Sequence, residues 1–243
     1  MTLSDETTGR PYYMAALDMT GKRCLVVGGG TVARRKAAGL LAAGAHVTMV
    51  APDDGPGVDG AVGSGIEDAA TSDRNDDLPG TLTVLRHRFV PEDLEGVALV
   101  FAATDDAAVN AEVTRLAHER GLLVNVVDAP DTGDLIVPAT VQRGALQIAV
   151  STGGASPALA RRLRERLEAE FGPAYGELVA LLDALRAEWE PRAIAAGVAP
   201  AARHGAWYQI LDLPLLELIE GGQTDTARAQ AQAVLDLAFT TVS

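Results

Sequence analysis

A glycine-rich segment gives the strongest candidate for binding chemistry in this sequence. Residues 28–33 read Gly-Gly-Gly-Thr-Val-Ala, which is the pattern G-x-G-x-x-A. In such a pattern Gly28 permits a tight turn and Gly30 lets the backbone approach a pyrophosphate, while the amides of Thr31 and Val32 donate to the anion from a helix N-terminus. The spacing predicts a dinucleotide site if a strand precedes the segment and a helix follows it. An ordinary glycine turn is the alternative.

The acidic residue that usually contacts the ribose is expected about 20 residues later, at the end of the next strand. At that place the sequence has Pro52 and Asp53, so it departs from the usual fingerprint. Asp53 either contacts the ribose or begins an acidic segment, and the residues leave both interpretations open. The basic residues 34–36 either meet a 2′-phosphate or lie on a solvated helix face, so the choice between NAD and NADP also stays open.

A second candidate group follows a later apolar run, where Asn125 and Asp128 stand next to the sequence Ala-Pro. Ligands bind at the carboxyl ends of parallel strands. A carboxylate there could accept a substrate proton while a hydride leaves for a nicotinamide. The alternative for Asp128 is a turn-stabilising aspartate, and the residues favour neither.

A third candidate is the small-residue loop 151–157, which contains Thr152, Gly153 and Gly154 and leads into a helix that carries Arg161. Free amides and arginines of this kind can bind carboxylates. Taken alone, the loop is better explained as an ordinary capped helix with a solvated basic face. The four histidines show no metal-ligand spacing, so no metal ligand is predicted; they are His46, His87, His118 and His204.

The elements that must position these residues alternate between strand and helix, which predicts an α/β fold with a Rossmann-type doubly wound parallel sheet. Two adjacent strands come next and suggest an antiparallel hairpin, and several amphipathic helices follow, so a small dimerisation hairpin/helix segment and a C-terminal helical domain are expected. They have little core of their own and should pack on the sheet domain and on a second subunit. The predicted domains are 1–130, with an acidic flexible insertion at 53–80, then 131–170 and 171–243. The predicted strands are 23–27, 46–50, 82–85, 97–102, 122–127, 135–141 and 146–151. The predicted helices are 31–43, 105–120 with Thr104 as its cap, 173–190, 215–220 and 227–239. A further helix is expected after its cap at Ser156 and Pro157, because Leu159, Leu163 and Leu167 repeat every four residues.

Composition narrows the classes of function. The 243 residues are 48% hydrophobic and carry a net charge of −13, with aromatics at 4%. Such an acidic chain repels nucleic-acid phosphates and anionic lipid, so neither nucleic acid nor a membrane is an expected partner. No apolar run approaches the roughly 20 residues of a membrane helix, and no secretory signal is recognisable, so a cytoplasmic location is expected. The single cysteine, Cys24, excludes an internal disulfide.

Four motifs in this order resemble one family, precorrin-2 dehydrogenase, the dehydrogenase–ferrochelatase module of siroheme synthases. The resemblance covers residues 14–185 and does not extend to the methyltransferase domain of longer siroheme synthases. The motifs are Val26–Gly30 with Val32, Ala33 and Lys36; Ala102–Asp106 with Asn110; Asn125–Asp128; and Ser151–Pro157.

The resemblance implies NAD-dependent oxidation of precorrin-2 to sirohydrochlorin and, in some members, insertion of ferrous iron to give siroheme. It implies that Asp128 is catalytic, that Thr31, Val32, Pro52 and Asp53 line NAD, and that Thr104 lies near that cleft. Both tetrapyrroles carry eight carboxylates, which suits a substrate-binding role for Asn125, Thr152, Gly153, Gly154 and Arg161. A homodimer is implied, and a separate uroporphyrinogen methyltransferase is an expected partner.

Two further hypotheses belong to other classes. The chain could bind a dinucleotide or a tetrapyrrole without turnover, as a sensor or carrier. The glycine loop could also serve a methyltransferase cofactor, although the missing acidic residue counts against this interpretation as much as against NAD.

Overall fold

The computed structural model describes residues 10–52 and 80–241. Asp53 and the predicted insertion at 53–80, except for Gly80, lie outside the described residues. The chain divides into two compact units. The first comprises Met1–Val137 with Gly153–Ala155, and the second comprises Pro138–Thr152 with Ser156–Ser243.

The first unit is built on a five-stranded parallel sheet. Its strands are β1 Arg23–Val27, β2 His46–Val50, β3 Thr81–Leu85, β4 Leu99–Ala102 and β5 Leu123–Val126. Their order across the sheet is β3-β2-β1-β4-β5. Helix α1 (Thr31–Ala42) connects β1 to β2, and helix α2 (Ala107–Glu119) connects β4 to β5. The predicted doubly wound fold is therefore confirmed, and the glycine segment lies between a strand and a helix as expected.

The sheet is covered on both faces because its central strand is apolar on both sides. Val26 on β1 packs in one cluster with Ala37 of α1, whereas its neighbour Leu25 packs in another cluster with Val113 of α2. All four residues are fully buried. A strand buried on both faces reads as a continuous apolar run, which is why the sequence predicted β1 with its correct ends.

In its described residues the second unit contains a hairpin and five α-helices. Strands β6 (Ala139–Arg143) and β7 (Leu146–Val150) pair antiparallel, as the sequence predicted. The start of the first of these strands was predicted wrongly, since residues 135–138 are not in a strand. The helices are α3 Pro157–Glu170, α4 Ala174–Ala195, α5 Pro200–Leu211, α6 Leu215–Glu220 and α7 Thr224–Leu237.

The C-terminal helices have a core of their own, which corrects the expectation that they bury little among themselves. Trp189 of α4 is fully buried and donates from Nε1 to the carbonyl of Leu235 on α7 at 3.0 Å. Leu185 and Ile210 are also fully buried in this cluster. The sequence missed α5, the helix that supplies Ile210, and α4 extends beyond its predicted end through Pro191. The predicted division into three domains stays a prediction.

Within residues 10–52 and 80–241, each helix is either too short or too polar to cross a membrane.

Candidate active site

Gly28 is required by both conformation and space. Its φ is +129°, a conformation that residues with a side chain rarely adopt. A Cβ at this position would lie 2.3 Å from the carbonyl oxygen of Ala103, which follows β4. The Gly28 amide donates to the carbonyl of Val50 at 2.8 Å, so the turn is also tied to the end of β2. The glycine loop therefore sits where β1, β2 and β4 all end.

Gly30 has the opposite environment. A Cβ added to it would meet nothing within 4 Å. Gly30 is the N-cap of α1, and no side chain caps this helix or places an acid in its first turn. The first amides of the helix, at Thr31 and Val32, therefore have no intrahelical acceptor. Open space beside a glycine and uncapped amides at a helix N-terminus fit the pyrophosphate of a dinucleotide.

The basic residues after the loop are not simply a solvated face. Arg34, a residue of α1, donates from Nε to the carbonyl of Gly29 at 3.0 Å and so ties the glycine loop to the helix that follows it. Lys36 is half-buried, and its ammonium lies 5.8 Å from the centre of the Phe101 ring. Burial, together with the charge of Arg35, lowers the pKa of Lys36. Pro52 is half-buried directly after β2, at the same sheet edge as the loop.

Thr104 has a structural partner that the sequence analysis missed. Its hydroxyl donates to Oδ1 of Asn110 at 2.7 Å, and the amide nitrogen of Asn110 donates back to the Thr104 carbonyl at 3.0 Å. Asn110 is 8% exposed. The expectation that Thr104 caps α2 was wrong, because the carboxylate of Asp106 accepts from the amides of Ala108 and Val109. A short polar side chain just before a helix suggests an N-cap, and Thr104 and Asp106 are both of this kind.

Asp128 lies two residues beyond β5, and its φ is +67°. It is the one non-glycine residue with a positive φ among those described. Aspartate tolerates this left-handed region better than most residues, but the conformation still costs about 1 kcal/mol and persists only where the surroundings impose it. The residue is exposed, so its carboxylate is open to solvent and to a ligand.

The segment after Asp128 is fastened to β5 at several points. Asp134 exchanges two hydrogen bonds with Val124, through its backbone amide at 2.8 Å and its carboxylate at 3.1 Å. His118 of α2 contacts the same carboxylate at 3.0 Å. Gly133 packs so closely that a Cβ would lie 2.6 Å from the Val124 carbonyl. These contacts fix both ends of the turn that contains Asp128.

Asn125, which the sequence analysis assigned to substrate, is 5% exposed. Its side-chain amide donates to the carbonyl of Leu135 at 2.9 Å. In this structure Asn125 therefore holds the segment that follows Asp128, and a contact with substrate stays a prediction. Arg10 contacts the same segment, because its Nη1 donates to the carbonyl of Gly133 at 2.7 Å.

A cavity of about 830 Å³ opens beside Asp128, between α2 and the segment after β5. Its charged lining is mainly acidic, with three carboxylates and one guanidinium, and Arg115 is already paired with Glu119 at 2.5 Å. The polar and charged lining residues include Thr104, Asp105, Asn110, Arg115, Glu119 and Asp128. The cavity has the volume of a cofactor or substrate site but little positive charge to hold an anion.

The third candidate group is a loop with defined polar contacts. The Thr152 hydroxyl accepts from the Ser156 amide at 3.0 Å, and the Ser156 hydroxyl accepts from the Leu159 amide at the start of α3. Gly153 and Gly154 have φ values of +61° and +88°. Arg161 is paired with Glu165 at 3.0 Å, one turn along the helix. Substrate binding by this loop stays a prediction.

No group of three or more histidine, cysteine, aspartate or glutamate side chains among the described residues could hold a metal ion.

A parallel sheet of this order, with an open glycine turn at its carboxyl edge, defines a dinucleotide-binding protein of the Rossmann class. The profile of a family described as NAD(P)-binding matches residues 15–139, more than half of the chain, and the chain belongs to this family. A second profile, described as the central part of a sirohaem biosynthesis protein, matches residues 143–170.

Curated relatives are named siroheme synthase. One from Chromobacterium violaceum is 38% identical over 225 residues, and one from Methylococcus capsulatus is 41% identical over 224 residues. Each alignment covers more than 90% of this chain but 43% of the relative, so the chain spans less than half the length of these relatives. A solved structure named SirC, precorrin-2 dehydrogenase, is 28% identical with a TM-score of 0.65, and the match covers 91% of this chain and all of that one.

Proposed function

We propose that this chain oxidises precorrin-2 to sirohydrochlorin with NAD as the hydride acceptor and Asp128 as the proton acceptor. The observation that carries the proposal is the placement of Asp128, an exposed carboxylate in a fixed left-handed turn at the carboxyl edge of the sheet and on the wall of the large cavity. The similarity to a precorrin-2 dehydrogenase over the whole length of that protein supports the choice of reaction.

The glycine loop is the proposed cofactor site. Gly28 makes the turn, Gly30 leaves room for the pyrophosphate, and the amides of Thr31 and Val32 donate to it. Pro52 and Thr104 stand at the same sheet edge, and Asp53 is proposed to lie beside the ribose. When bound, NAD supplies an electrophilic nicotinamide carbon that accepts a hydride.

Asp128 supplies the acid–base part of the same oxidation. Dehydrogenation removes two hydrogens from the macrocycle, one as a hydride to NAD and one as a proton, so a base is needed within reach of the substrate. The carboxylate takes the proton and, because Asp128 is exposed, releases it to solvent. Fixed ends of the turn keep the carboxylate in one place while this happens.

Three finer parts of the proposal concern metal and partners. Ferrous iron insertion into sirohydrochlorin would use the same carboxylate, which would accept the protons that leave the pyrrole nitrogens. A homodimer would form through the hairpin and the helix after it, and Thr152, Gly153, Gly154 and Arg161 would contact the carboxylates of the tetrapyrrole. A separate uroporphyrinogen methyltransferase would supply precorrin-2.

The test is an anaerobic assay with enzymatically generated precorrin-2 and NAD, in which NADH and sirohydrochlorin are followed together. Asp128→Asn keeps the size of the side chain and removes its basicity, so the turnover rate should fall at least about 100-fold. Asp131→Asn is the matched control, because Asp131 is an exposed carboxylate in the same segment.

Wild-type turnover in Asp128→Asn would remove the proposed role of Asp128. If the wild-type protein binds NAD and tetrapyrrole but forms neither product, the chain is a binding module instead. Ferrous iron added after the oxidation tests insertion, which should be faster than without protein and lost in Asp128→Asn.

A further inference from the structure

The second unit contains a cavity of its own, of about 380 Å³, between α4 and α5. Its composition differs from that of the cavity beside Asp128, since the charged lining is mainly basic. The lining residues are Arg186, Glu190, Pro200, Arg203, His204 and Trp207.

One carboxylate organises this cavity. Glu190 of α4 accepts from Nη1 of Arg203 at 2.6 Å through one oxygen and from the indole nitrogen of Trp207 at 3.4 Å through the other. Both donors lie on α5, so Glu190 joins the two helices. Because both of its oxygens have partners, Glu190 neutralises one guanidinium and leaves the second arginine of the cavity uncompensated.

That second arginine is Arg186. Its guanidinium lies over the Trp207 ring, 4.8 Å from the ring centre, and forms no ion pair with a carboxylate in residues 10–52 or 80–241. Arg203 is also incompletely satisfied, because its Nε is buried and has no acceptor. The cavity therefore holds two guanidinium groups against one carboxylate in a protein of net charge −13. A local positive field in an acidic protein attracts anions to one place.

We propose that this cavity binds an organic carboxylate. The planar guanidinium group matches a carboxylate in geometry and charge, and the Arg186 guanidinium is already held over the Trp207 ring, 4.8 Å from its centre. The ring of Trp207 and Pro200 provide apolar wall, which favours an organic acid over inorganic phosphate. A volume of about 380 Å³ accepts a small polycarboxylate or the acidic arms of a larger ligand. The inference does not depend on the proposed dehydrogenase activity.

Tryptophan fluorescence reports directly on this cavity. The chain has two tryptophans, and Trp189 packs edge-on against Trp207 with ring centres 6.0 Å apart. Titration of the full chain with citrate at constant ionic strength should change the emission with a saturable dependence. Sodium chloride should not reproduce the change, and inorganic phosphate should bind at least about tenfold more weakly than citrate.

Arg186→Gln should weaken citrate binding at least about tenfold, because it removes the uncompensated charge. Arg192→Gln is a matched control on the same helix, since Arg192 also lies over an aromatic ring, Phe239, but outside the cavity. It should leave the binding unchanged.

Calorimetry with uroporphyrin, an octacarboxylate porphyrin, identifies the source of the carboxylate. Loss of both uroporphyrin and citrate binding in Arg186→Gln would assign the cavity to the acidic arms of a tetrapyrrole, and loss of citrate binding alone would assign it to a free organic acid. The proposal is overturned if neither compound binds saturably, if Arg186→Gln binds both as the wild type does, or if phosphate binds as tightly as citrate.

Discussion

Replacing Asp128 by alanine and by glycine should separate the chemistry of its carboxylate from the demand of its backbone. Both variants lack the base, so both should lose at least about 100-fold in the rate of precorrin-2 oxidation. Their stabilities should differ. At a φ of +67°, a residue with a Cβ pays about 1–2 kcal/mol relative to glycine, whereas glycine loses about 0.5–1 kcal/mol in chain entropy on folding. Asp128→Gly should therefore be about 0.5–1 kcal/mol more stable than Asp128→Ala.

The stability measurement must follow the unfolding of the first unit, which contains Asp128. Tryptophan fluorescence does not follow it, because both tryptophans lie in the second unit. Cys24 does report on it, since this thiol lies in β1 and is 1% exposed. Labelling of Cys24 as a function of urea concentration therefore gives the unfolding free energy of the sheet. Asp128→Asn serves as the reference, because asparagine tolerates a left-handed backbone as well as aspartate does.

Equal labelling curves for the alanine and glycine variants would refute the argument that Asp128 occupies a strained left-handed turn. Activity retained in either variant would refute its role as the base. The two conclusions are independent, because one rests on the backbone and the other on the carboxylate.

Three further results are expected. Gly28→Ala should unfold the first unit at lower urea concentration, because its Cβ would lie 2.3 Å from a backbone oxygen. Gly30→Ala should keep the wild-type stability and weaken NAD binding at least about tenfold in a direct titration. Equal effects of the two variants on stability would contradict the loop geometry. Burial raises the pKa of Cys24 to about 11, so the thiol should resist labelling at pH 8. Because the unfolded thiol ionises first, stability should fall as the pH rises from about 9 to 11, and Cys24→Ala should remove that part of the dependence in urea unfolding. Trp189→Ala should lower the free energy of unfolding by about 3–5 kcal/mol, as measured by circular dichroism, whereas Tyr208→Ala should change it little because Tyr208 is exposed. A small loss of stability in Trp189→Ala would contradict a separate helical core.

The charge of the two cavities has a consequence for substrate recognition. The charged residues that line the cavity beside Asp128 are mainly acidic, and negative charge repels the arms of an octacarboxylate. The cationic groups that could hold those arms lie elsewhere, in the cavity at Arg186 and on the helix that carries Arg161. The acid–base group and the basic groups therefore belong to different parts of the chain.

Local sequence determined the first βαβ unit of this protein. The apolar run 23–27, the glycines after it and the helix formers from Thr31 each favour one conformation without help from distant residues. Asp128 could be identified as a candidate for the same reason, because an aspartate directly after a predicted parallel strand must stand at the edge where ligands bind.

Tertiary structure decided what could not be read from spacing. The need for glycine at position 28 comes from Ala103, a residue brought close only by pairing of β1 with β4. Thr104 was expected to cap a helix, yet its hydroxyl pairs with the buried Asn110.

The helix 200–211 is a further element that the spacing of residues did not predict. It was missed because its buried face rests on the small Ala206 and on Ile210, which give too weak a periodic signal. Arg203 then meets Glu190 only because two helices pack together, so the basic cavity exists in the fold and not in any short segment of the sequence. Spacing along a chain determines which side chains share one element, while the packing of elements determines which charges become neighbours.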